Sequence, residues 1–350
     1  MCVRQIGCDR PPVSATGFRL RGGKGCARKL SGPGTVEFVV ETLVFRTPIF
    51  ASVASIALFA FWRNIGHTQR TRATPTHVLM NTETLKRIRH LALDMDGTIY
   101  RGGTLFDSTR PFLASMDRRE IGYTFLTNNS SRSVTDYLRH LRRLGIEAHE
   151  KQIYTSVLCT MDYLRKSLPD VRRLYILGTP SLRREFVAAG FEDVGDAGEP
   201  QAVVVGFDTG LVFSRLCRAA WWIAQGKPFI ATHPDRICPT DQPTILVDCG
   251  SVCACLESAT GRKPDAVLGK PDPWMLRGIL DRHGLAPDEL AMVGDRLYTD
   301  VAMARRAGVV AVLVLTGEAT AEEAARCPTP PDLIVPSLKE LGDLLNRIGQ

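Results

Sequence analysis

The sequence lacks the cysteine and histidine spacings that hold a structural zinc ion or a disulfide framework. Its ten cysteines include no C-x-x-C pair and have no histidine at zinc-ligand spacing. The cluster of Cys249, Cys253 and Cys255 has no fourth ligand nearby, so we interpret these cysteines as buried, reduced thiols. Reduced cysteines are typical of a reducing compartment, and we expect a cytoplasmic protein.

The sequence also has little that could cross a membrane. An uncharged run, 47–62, lies between Arg46 and Arg63 and contains Pro48. It is about sixteen residues long, whereas a helical span needs about 18 to 20, so membrane association is disfavoured. The 46 residues that precede it are too many for a standard secretory signal.

Residues 1–79 form a basic extension whose composition differs from that of the rest. Three interpretations of it stay open: a disordered or mis-assigned upstream segment, a membrane anchor, and a targeting segment. Met80, just ahead of the first expected strand, would be a natural start for the folded protein.

After the extension 1–79, the chain has no excess of positive or negative charge, although the formal net charge of the whole protein is +7. The segment before Met80 holds eleven Lys and Arg against three acids, which leaves 44 − 11 = 33 bases and 37 − 3 = 34 acids. A body this close to neutrality lacks the basic surface that binds polyanions, so nucleic acid is not expected as a partner.

What the sequence does contain is a short apolar run that ends in two carboxylates. Leu91 to Tyr100 reads L-A-L-D-M-D-G-T-I-Y, with Asp94 and Asp96 directly after the run. This pattern predicts a buried strand that delivers both carboxylates to the carboxyl edge of a sheet, where ligands bind in open α/β folds. Paired carboxylates repel each other, which raises a pKa or recruits a cation, and their oxygens favour Mg²⁺.

Two further motifs supply groups suited to anion binding. The predicted strand Gly122 to Leu126 is followed by Thr127 and Asn128 and then by a predicted helix, which places hydroxyl and amide donors near a helix start. Gly269-Lys270-Pro271 sets a lysine on a restrained loop, where it can lean over a phosphate as a point charge. Taken alone, a helix cap and a solvated lysine would explain these motifs as well.

A second acidic motif follows another predicted strand, Leu290 to Val293. It reads G-D-R-L-Y-T-D from Gly294 to Asp300. Asp295 at the strand end is free to meet the first acidic pair, while Asp300 could cap the helix predicted from Val301. Jointly the motifs supply a nucleophile, a metal site, a hydroxyl donor and a fixed cation, all of which in-line phosphoryl transfer needs.

The middle of the chain alternates predicted strands and helices. Leu174 to Gly178, Ala202 to Phe207 and Phe229 to Thr232 are predicted strands, and the βαβαβ rhythm is sufficient for a second small α/β domain. Trp221 and Trp222 lie in one of the intervening helices, and we expect them in the core.

The four motifs, in this order and with an α/β segment after the second, resemble those of haloacid dehalogenase (HAD) superfamily phosphatases of subfamily IIA, the NagD and p-nitrophenylphosphatase group. The stretches V-G-D-R-L-Y-T-D, G-K-P-D-P-W and A-T-H-P-D are close to the wording of that subfamily, and the resemblance runs from about Thr82 to the C-terminus. It implies a Rossmann-like parallel-sheet core over 80–160 and 262–350 with an α/β cap inserted at 161–261. It also implies a Mg²⁺-dependent hydrolase of a small phosphorylated metabolite, and a homodimer that could form through the cap.

The same resemblance implies roles for particular residues. Asp94 would attack phosphorus to form an aspartyl-phosphate, and Asp96 would protonate the leaving alkoxide and then deprotonate water. Mg²⁺ would bind the Asp94 carboxylate, the Asp96 backbone carbonyl and Asp295, while Asp300 would orient the surroundings of the ion without binding it. Lys270 would neutralise developing charge.

The residues that would contact the substrate form a larger set. Thr127 would donate to a phosphoryl oxygen with the Asn128 amide beside it, and His233 stands where relatives commonly carry Asn. The full set is Thr127, Asn128, His233, Lys270, Arg296, Leu297, Tyr298 and Thr299.

Two other functions stay open. A phosphomutase of the superfamily would reuse Asp94, but mutases usually carry a small helical cap ahead of the second motif, and dehalogenases usually lack the carboxylate that is here Asp96. A non-catalytic, membrane-tethered binding module would depend instead on the run 47–62. The complete set of catalytic residues argues against that module.

Overall fold

The computed structural model describes residues 82–240 and 243–348. The predictions for residues 1–79, for Met80 and for the run 47–62 fall outside these ranges and stay predictions. Among the described residues, no helix has both the length and the apolar character needed to cross a membrane.

Strands and helices alternate along the described chain, as the sequence predicts. The strands are β1 His90–Asp94, β2 Tyr100–Arg101, β3 Thr104–Leu105, β4 Gly122–Thr127, β5 Ile153–Thr155, β6 Arg173–Leu177, β7 Glu192–Asp193, β8 Ala202–Val205, β9 Phe229–Ala231, β10 Ile237–Cys238, β11 Leu246–Val247, β12 Ala266–Val267, β13 Leu290–Gly294, β14 Val310–Val314 and β15 Leu333–Val335. The helices are α1 Thr82–Lys86, α2 Thr109–Arg118, α3 Val134–Arg143, α4 Ser156–Ser167, α5 Pro180–Ala188, α6 Phe213–Ala224, α7 Cys249–Thr260, α8 Trp274–His283, α9 Ala302–Ala307, α10 Ala321–Arg326 and α11 Leu338–Ile348.

The larger sheet has six parallel strands in the order β15-β14-β13-β1-β4-β5. All five residues of β1 are buried, as expected for a central strand that helices cover on both faces. Since β13 and β4 flank β1, the three strand ends that carry Asp94, Thr127 and Asp295 lie side by side. This arrangement confirms the α/β class and the parallel core.

The smaller sheet has five parallel strands in the order β12-β9-β8-β6-β7. It is built from the middle of the chain, where the βαβαβ pattern predicts a second α/β unit. Its last strand, Ala266–Val267, pairs with β9 and so lies beyond the boundary predicted at residue 261. The division of the chain into domains otherwise stays a prediction.

Two apolar clusters cover the two faces of the larger sheet. Leu91 and Leu93 belong to one cluster and Ala92 to the other, because alternate residues of a strand point to opposite faces. The cluster that holds Ala92 continues through Met161 of α4 to Val204 of the smaller sheet. The two sheets therefore share one continuous apolar core.

Local sequence explains where several helices begin and end. Ser133 caps α3 in a capping box with Asp136, Thr179 caps α5 ahead of Pro180, and Gly261 ends α7 in the left-handed conformation. One expectation for α6 is wrong: Trp221 is 55% exposed, because it lies on the outer face of the helix, and only Trp222 is partly buried.

Candidate active site

Asp94 and Lys270 form a buried ion pair at the carboxyl end of β1. The lysine Nζ contacts Asp94 Oδ1, and both residues are at most 7% exposed. Burial raises the pKa of the Asp94 carboxyl to about 7, although Lys270 acts to lower it. The lysine thus offsets part of the cost of keeping this carboxylate ionised away from water.

Asp300 lies inside the same group. Its Oδ1 is 2.8 Å from Lys270 Nζ, with the geometry of an ion pair rather than of a well-directed hydrogen bond. Burial acts to lower the pKa of Lys270, but Asp300 and Asp94 outweigh it and raise the pKa. The sequence predicts helix capping or support of the metal site for Asp300, whereas the structure places its carboxylate on the lysine.

The chain between Asp295 and Asp300 explains that placement. Leu297–Val301 forms a wide, π-helical turn before α9, and the Arg296 N–H donates to Asp300 Oδ2 at 3.2 Å. A Cβ on Gly294 would come within 2.4 Å of Asp300 Cγ, so only glycine leaves room for this carboxylate. The sequence pattern shows the strand but not this turn.

Asp295 completes a group of three buried carboxylates. Oxygens of Asp94, Asp295 and Asp300 all lie within 4.8 Å of one another. Asp295 Oδ2 accepts the Glu318 N–H at 2.8 Å, whereas Oδ1 is buried and has no hydrogen-bond partner. Burial, and after it Asp300, raise the pKa of Asp295. Crowded oxygen donors with an unsatisfied buried atom fit a hard divalent cation.

Two glycines confine Asp295 from opposite parts of the chain. A Cβ on Gly97 would lie 2.4 Å from Asp295 Oδ2, and a Cβ on Gly317 would lie 1.9 Å from it. Gly97 also has φ +91°, which glycine adopts readily. Nothing in the local sequence around Gly317 indicates its contact with Asp295, so this glycine was not predictable as part of the site.

Asp96 is exposed, unlike Asp94, and it lies on the turn that leaves β1. Its Oδ1 is 3.5 Å from the backbone nitrogen of Gly102, which starts the return of the β2–β3 hairpin. The side chain of Asp96 therefore stands on the solvent side of the buried group. That position suits a group that exchanges protons.

Thr127 ends β4 and Asn128 follows it, but the side chains of the two residues differ in their partners. Thr127 is half-buried, and its Oγ1 accepts the Asn129 N–H at 3.2 Å. The Asn128 side chain instead contacts the backbone of Lys270, with Nδ2 donating to the carbonyl at 2.9 Å and Oδ1 accepting the N–H at 2.6 Å. This link spans 142 positions, and the sequence gives no sign of it.

The segment Arg296–Thr299 borders the carboxylate group in part. Arg296 pairs through Nε with Glu318 at 2.9 Å, and the Tyr298 hydroxyl donates to the same carboxylate at 3.2 Å. Leu297 packs against the apolar core, and Thr299 is buried. Tyr298, 61% exposed, is therefore the most accessible of the four to a ligand.

His233 lies in the interior of the smaller unit. Its ring is fully buried, with Nδ1 2.9 Å from Thr232 Oγ1 and Nε2 2.9 Å from Asp248 Oδ1. Burial acts to lower its pKa, but Cys249 and Asp248 outweigh burial and raise the pKa to about 9. Both ring nitrogens are occupied within the protein, so this arrangement leaves none for the substrate contact that the resemblance implies.

Two protein-family models match this chain, and each covers residues of the site. The model described as haloacid dehalogenase-like hydrolase matches residues 91–192, which include Asp94 and Thr127. The model described as HAD-hydrolase-like matches residues 267–341, which include Lys270 and Asp295.

Similar proteins carry phosphatase names. The chain is 31% identical over 254 residues to the ribonucleotide monophosphatase NagD of Escherichia coli, covering 73% of this chain and 98% of NagD. It is 30% identical to the glycerol-3-phosphate phosphatase of Gallus gallus, covering 77% and 93%.

Two solved structures are similar in fold as well. The 4-nitrophenylphosphatase of Thermotoga maritima has a TM-score of 0.70 and 40% identity, with 74% of this chain and 98% of that chain covered. A glycerol phosphate phosphatase of Mycobacterium tuberculosis, solved in complex with magnesium, has a TM-score of 0.68 and 32% identity, with 74% and 78% covered.

Proposed function

Because the chain belongs to subfamily IIA of the haloacid dehalogenase-like hydrolases, and is thus a phosphoric monoester hydrolase, we propose that it cleaves small phosphomonoesters through an aspartyl-phosphate on Asp94 with Mg²⁺ as cofactor. The observation that carries the proposal is the meeting of Asp94, Asp295, Asp300 and Lys270 in one buried group. Lys270 and Asp94 are 176 positions apart in the chain, so their contact belongs to the fold and not to a local turn.

The first half-reaction uses Asp94 as nucleophile. A bond forms between its carboxylate oxygen and phosphorus while the ester P–O bond breaks. The leaving alkoxide takes a proton from Asp96, whose exposed position next to the buried group supports this role. Lys270 favours the ionised form of Asp94 and opposes the charge that develops on the phosphoryl oxygens.

The second half-reaction releases phosphate. Asp96 takes a proton from a water molecule as the water oxygen bonds to phosphorus, and the P–O bond to Asp94 breaks. Inorganic phosphate leaves and the Asp94 carboxylate is restored. Thr127 would donate its hydroxyl to a phosphoryl oxygen, and its place beside β1 supports this.

Mg²⁺ would be held by the carboxylates of Asp94 and Asp295 and by the backbone carbonyl of Asp96. The partnerless buried Oδ1 of Asp295 supports this assignment. Asp300 stays outside the proposed ligand set because both of its oxygens have partners: Oδ1 pairs with Lys270 and Oδ2 accepts the Arg296 N–H. When bound, the ion supplies positive charge that lets a phosphoryl group approach three carboxylates.

The substrate class is a small phosphomonoester. Relatives named for ribonucleotide monophosphates, acid sugar phosphates and glycerol 3-phosphate all act on compounds of that size, as their names state. Arg296 and Tyr298, which border the carboxylate group, would contact the rest of the molecule. A cytoplasmic location and a homodimer that forms through the cap, 161–261, stay predictions.

The alternatives have less support. Between β1 and β4 the chain forms only the β2–β3 hairpin and α2, so the small helical cap expected of a phosphomutase is missing from this described segment. A vestigial binding module would not need a lysine held between two carboxylates.

Full-length protein should release phosphate from p-nitrophenyl phosphate only when Mg²⁺ is present. Asp94→Asn should lower kcat by roughly a thousandfold or more, because a neutral amide cannot attack phosphorus as a carboxylate oxygen does. Asp343→Asn, a substitution of an exposed aspartate on α11, is the matched control and should leave kcat unchanged. Turnover retained by Asp94→Asn would remove Asp94 as nucleophile.

A screen of phosphorylated metabolites with the wild-type protein would identify the preferred substrate. Acid quench during turnover of a ³²P-labelled substrate should leave label on the peptide that contains Asp94. A quench that leaves no label there, with turnover intact, would contradict the aspartyl-phosphate.

A further inference from the structure

We propose that Asp235 is a positioning residue for Lys270, acting through the side-chain amide of Asn128 across the junction of the two sheets. The inference rests on the proposed function, since Lys270 matters only if it serves the reaction. Asp235 follows β9 of the smaller sheet, whereas Asn128 follows β4 of the larger one. The sequence motif A-T-H-P-D contains Asp235, but nothing in the proposed reaction uses it.

The Asn128 side chain joins the two partners. Its Nδ2 donates to both carboxylate oxygens of Asp235, at 3.1 and 3.3 Å, and to the Lys270 carbonyl at 2.9 Å. Its Oδ1 accepts the Lys270 N–H at 2.6 Å. Asn128 is 7% exposed, so water does not compete freely for these bonds.

The Lys270 backbone and Asp235 together fix which way the Asn128 amide faces, and Asp235 is the contribution from the side of the smaller sheet. A terminal amide can rotate by half a turn and exchange its oxygen with its NH₂ group. Rotated, Asn128 would set its oxygen against the Asp235 carboxylate and its NH₂ group against the Lys270 N–H, and both contacts would be repulsive. An ionised carboxylate only accepts, so Asp235 holds the NH₂ group on its own side.

The backbone around Lys270 and Asp235 is built for this close approach. Gly269 has φ +74°, and a Cβ there would lie 2.7 Å from Asn128 Oδ1. The Asp235 carbonyl accepts the Gly250 N–H at 2.8 Å, which ties its loop to the first turn of α7. Through this loop, the contact of Asp235 with Asn128 links the smaller sheet to the backbone of Lys270.

Steady-state kinetics with p-nitrophenyl phosphate and Mg²⁺ test the inference. Asp235→Ala should lower kcat about tenfold with KM changed less than twofold, because a misplaced lysine weakens stabilisation of the transition state more than binding. Asp235→Asn keeps an oxygen that accepts from Asn128 and should stay within threefold of wild type. Arg236→Ala, the exposed neighbour, is the control and should match wild type.

A double variant adds a second criterion. Asn128→Ala with Asp235→Ala should be no slower than Asn128→Ala alone, since both changes break one chain of contacts. Wild-type kcat in Asp235→Ala, additive losses in the double variant, or equal losses in Asp235→Asn and Asp235→Ala would each overturn the inference. The last result would show that the charge matters and not the orientation of the amide.

A readout that needs no turnover separates this inference from the proposed function. The side-chain amide protons of Asn128, followed by NMR in the full-length protein, should exchange with solvent at least tenfold faster in Asp235→Ala than in wild type. Unchanged exchange would overturn the positioning role even if the protein proved not to be a phosphatase.

Discussion

The carboxylate of Asp295 is held between Gly97 and Gly317, so its position is fixed by shape as well as by charge. Asparagine has the same shape and can still accept the Glu318 N–H. It lacks the negative charge that a divalent cation needs. Substitution of Asp295 by asparagine is therefore expected to alter function while the fold is kept.

Asp295→Asn should raise the Mg²⁺ concentration for half-maximal activity by about tenfold or more, in line with the effect of lost metal contacts. The metal-free variant should be at least as stable as wild type, because burial and Asp300 disfavour the charged form of Asp295. Titration of activity with Mg²⁺ and urea unfolding measure the two effects.

Glu318→Gln is the control, since Glu318 pairs with Arg296 and Tyr298 outside the carboxylate group. Its Mg²⁺ requirement should match that of wild type. An unchanged requirement in Asp295→Asn would remove Asp295 from the proposed ligand set.

The residues of the site were predictable to the extent that they end strands. Asp94, Asp295 and Lys270 were expected to meet, and they do. The orientation of Asn128 toward Lys270 was not predictable, because it depends on contacts across 142 positions. The contact between His233 and Asp248 was not predictable either, because no periodicity in the sequence indicates that these two residues meet.

Three elements meet at His90. The residue begins β1, and its Nε2 lies 2.8 Å from Thr124 Oγ1 of β4. The centroid of its ring lies 4.2 Å from that of His283 at the end of α8, with the two rings tilted by 33°. Burial, with a smaller effect from His283, lowers the pKa of His90 to about 4. In the unfolded chain a histidine titrates near 6.5.

Between about pH 6.5 and about pH 4 the unfolded chain binds a proton at His90 that the folded chain does not. The contribution of the neutral His90 to the free energy of unfolding is therefore fully present above pH 6.5. It is lost as the pH falls towards 4, by up to about 3 kcal/mol. Asp94 and His233, whose pKa values are raised in the folded protein, act in the opposite sense between pH 7.5 and pH 5, so the net change in wild type is not set by His90 alone. Urea unfolding at pH 5 and pH 7.5 should therefore show that His90→Gln gains free energy of unfolding relative to wild type as the pH falls.

His149→Gln is the matched control, because His149 is exposed. The free energy of unfolding of His149→Gln should depend on pH as that of wild type does. An identical change in the free energy of unfolding between pH 7.5 and pH 5 in His90→Gln and in wild type would show that His90 does not contribute to the pH dependence.

Among the elements, the longer buried strands were predictable and the two-residue strands β10 and β11 were not. Each of β1, β4 and β13 lies within a residue or two of its predicted bounds. The hairpin β10–β11 has two residues in each strand and was missed, because so short a pair has no readable alternation. The turn Leu297–Val301 was missed since a π-helical turn has no distinct sequence period.

At the scale of the molecule, the shared apolar core limits how independent the two sheets are. Met161 of α4 belongs to the same cluster as Ala92 of the larger sheet and Val204 of the smaller one. The second α/β unit was predictable from its strands. This common core was not, because the apolar residues of α4 do not reveal which sheet they pack against.

The two sheets should unfold in one cooperative step. Hydrogen exchange measured by mass spectrometry in increasing urea should give the same free energy of opening for peptides from β1 and β8, because the two sheets share the apolar cluster that contains Ala92 and Val204. Met161→Ala should lower both values by about 2 to 5 kcal/mol. Loss of protection in β8 while β1 stays protected would show two separately stable units.

The order of the larger sheet also bears on synthesis at the ribosome. His90 of β1 pairs with Leu290 of β13, 290 − 90 = 200 positions later. At about 5 to 20 residues per second, one edge of the central strand waits roughly 10 to 40 seconds for its neighbour to be translated. During that interval the nascent chain presents an apolar strand with free backbone groups, a natural target for chaperones.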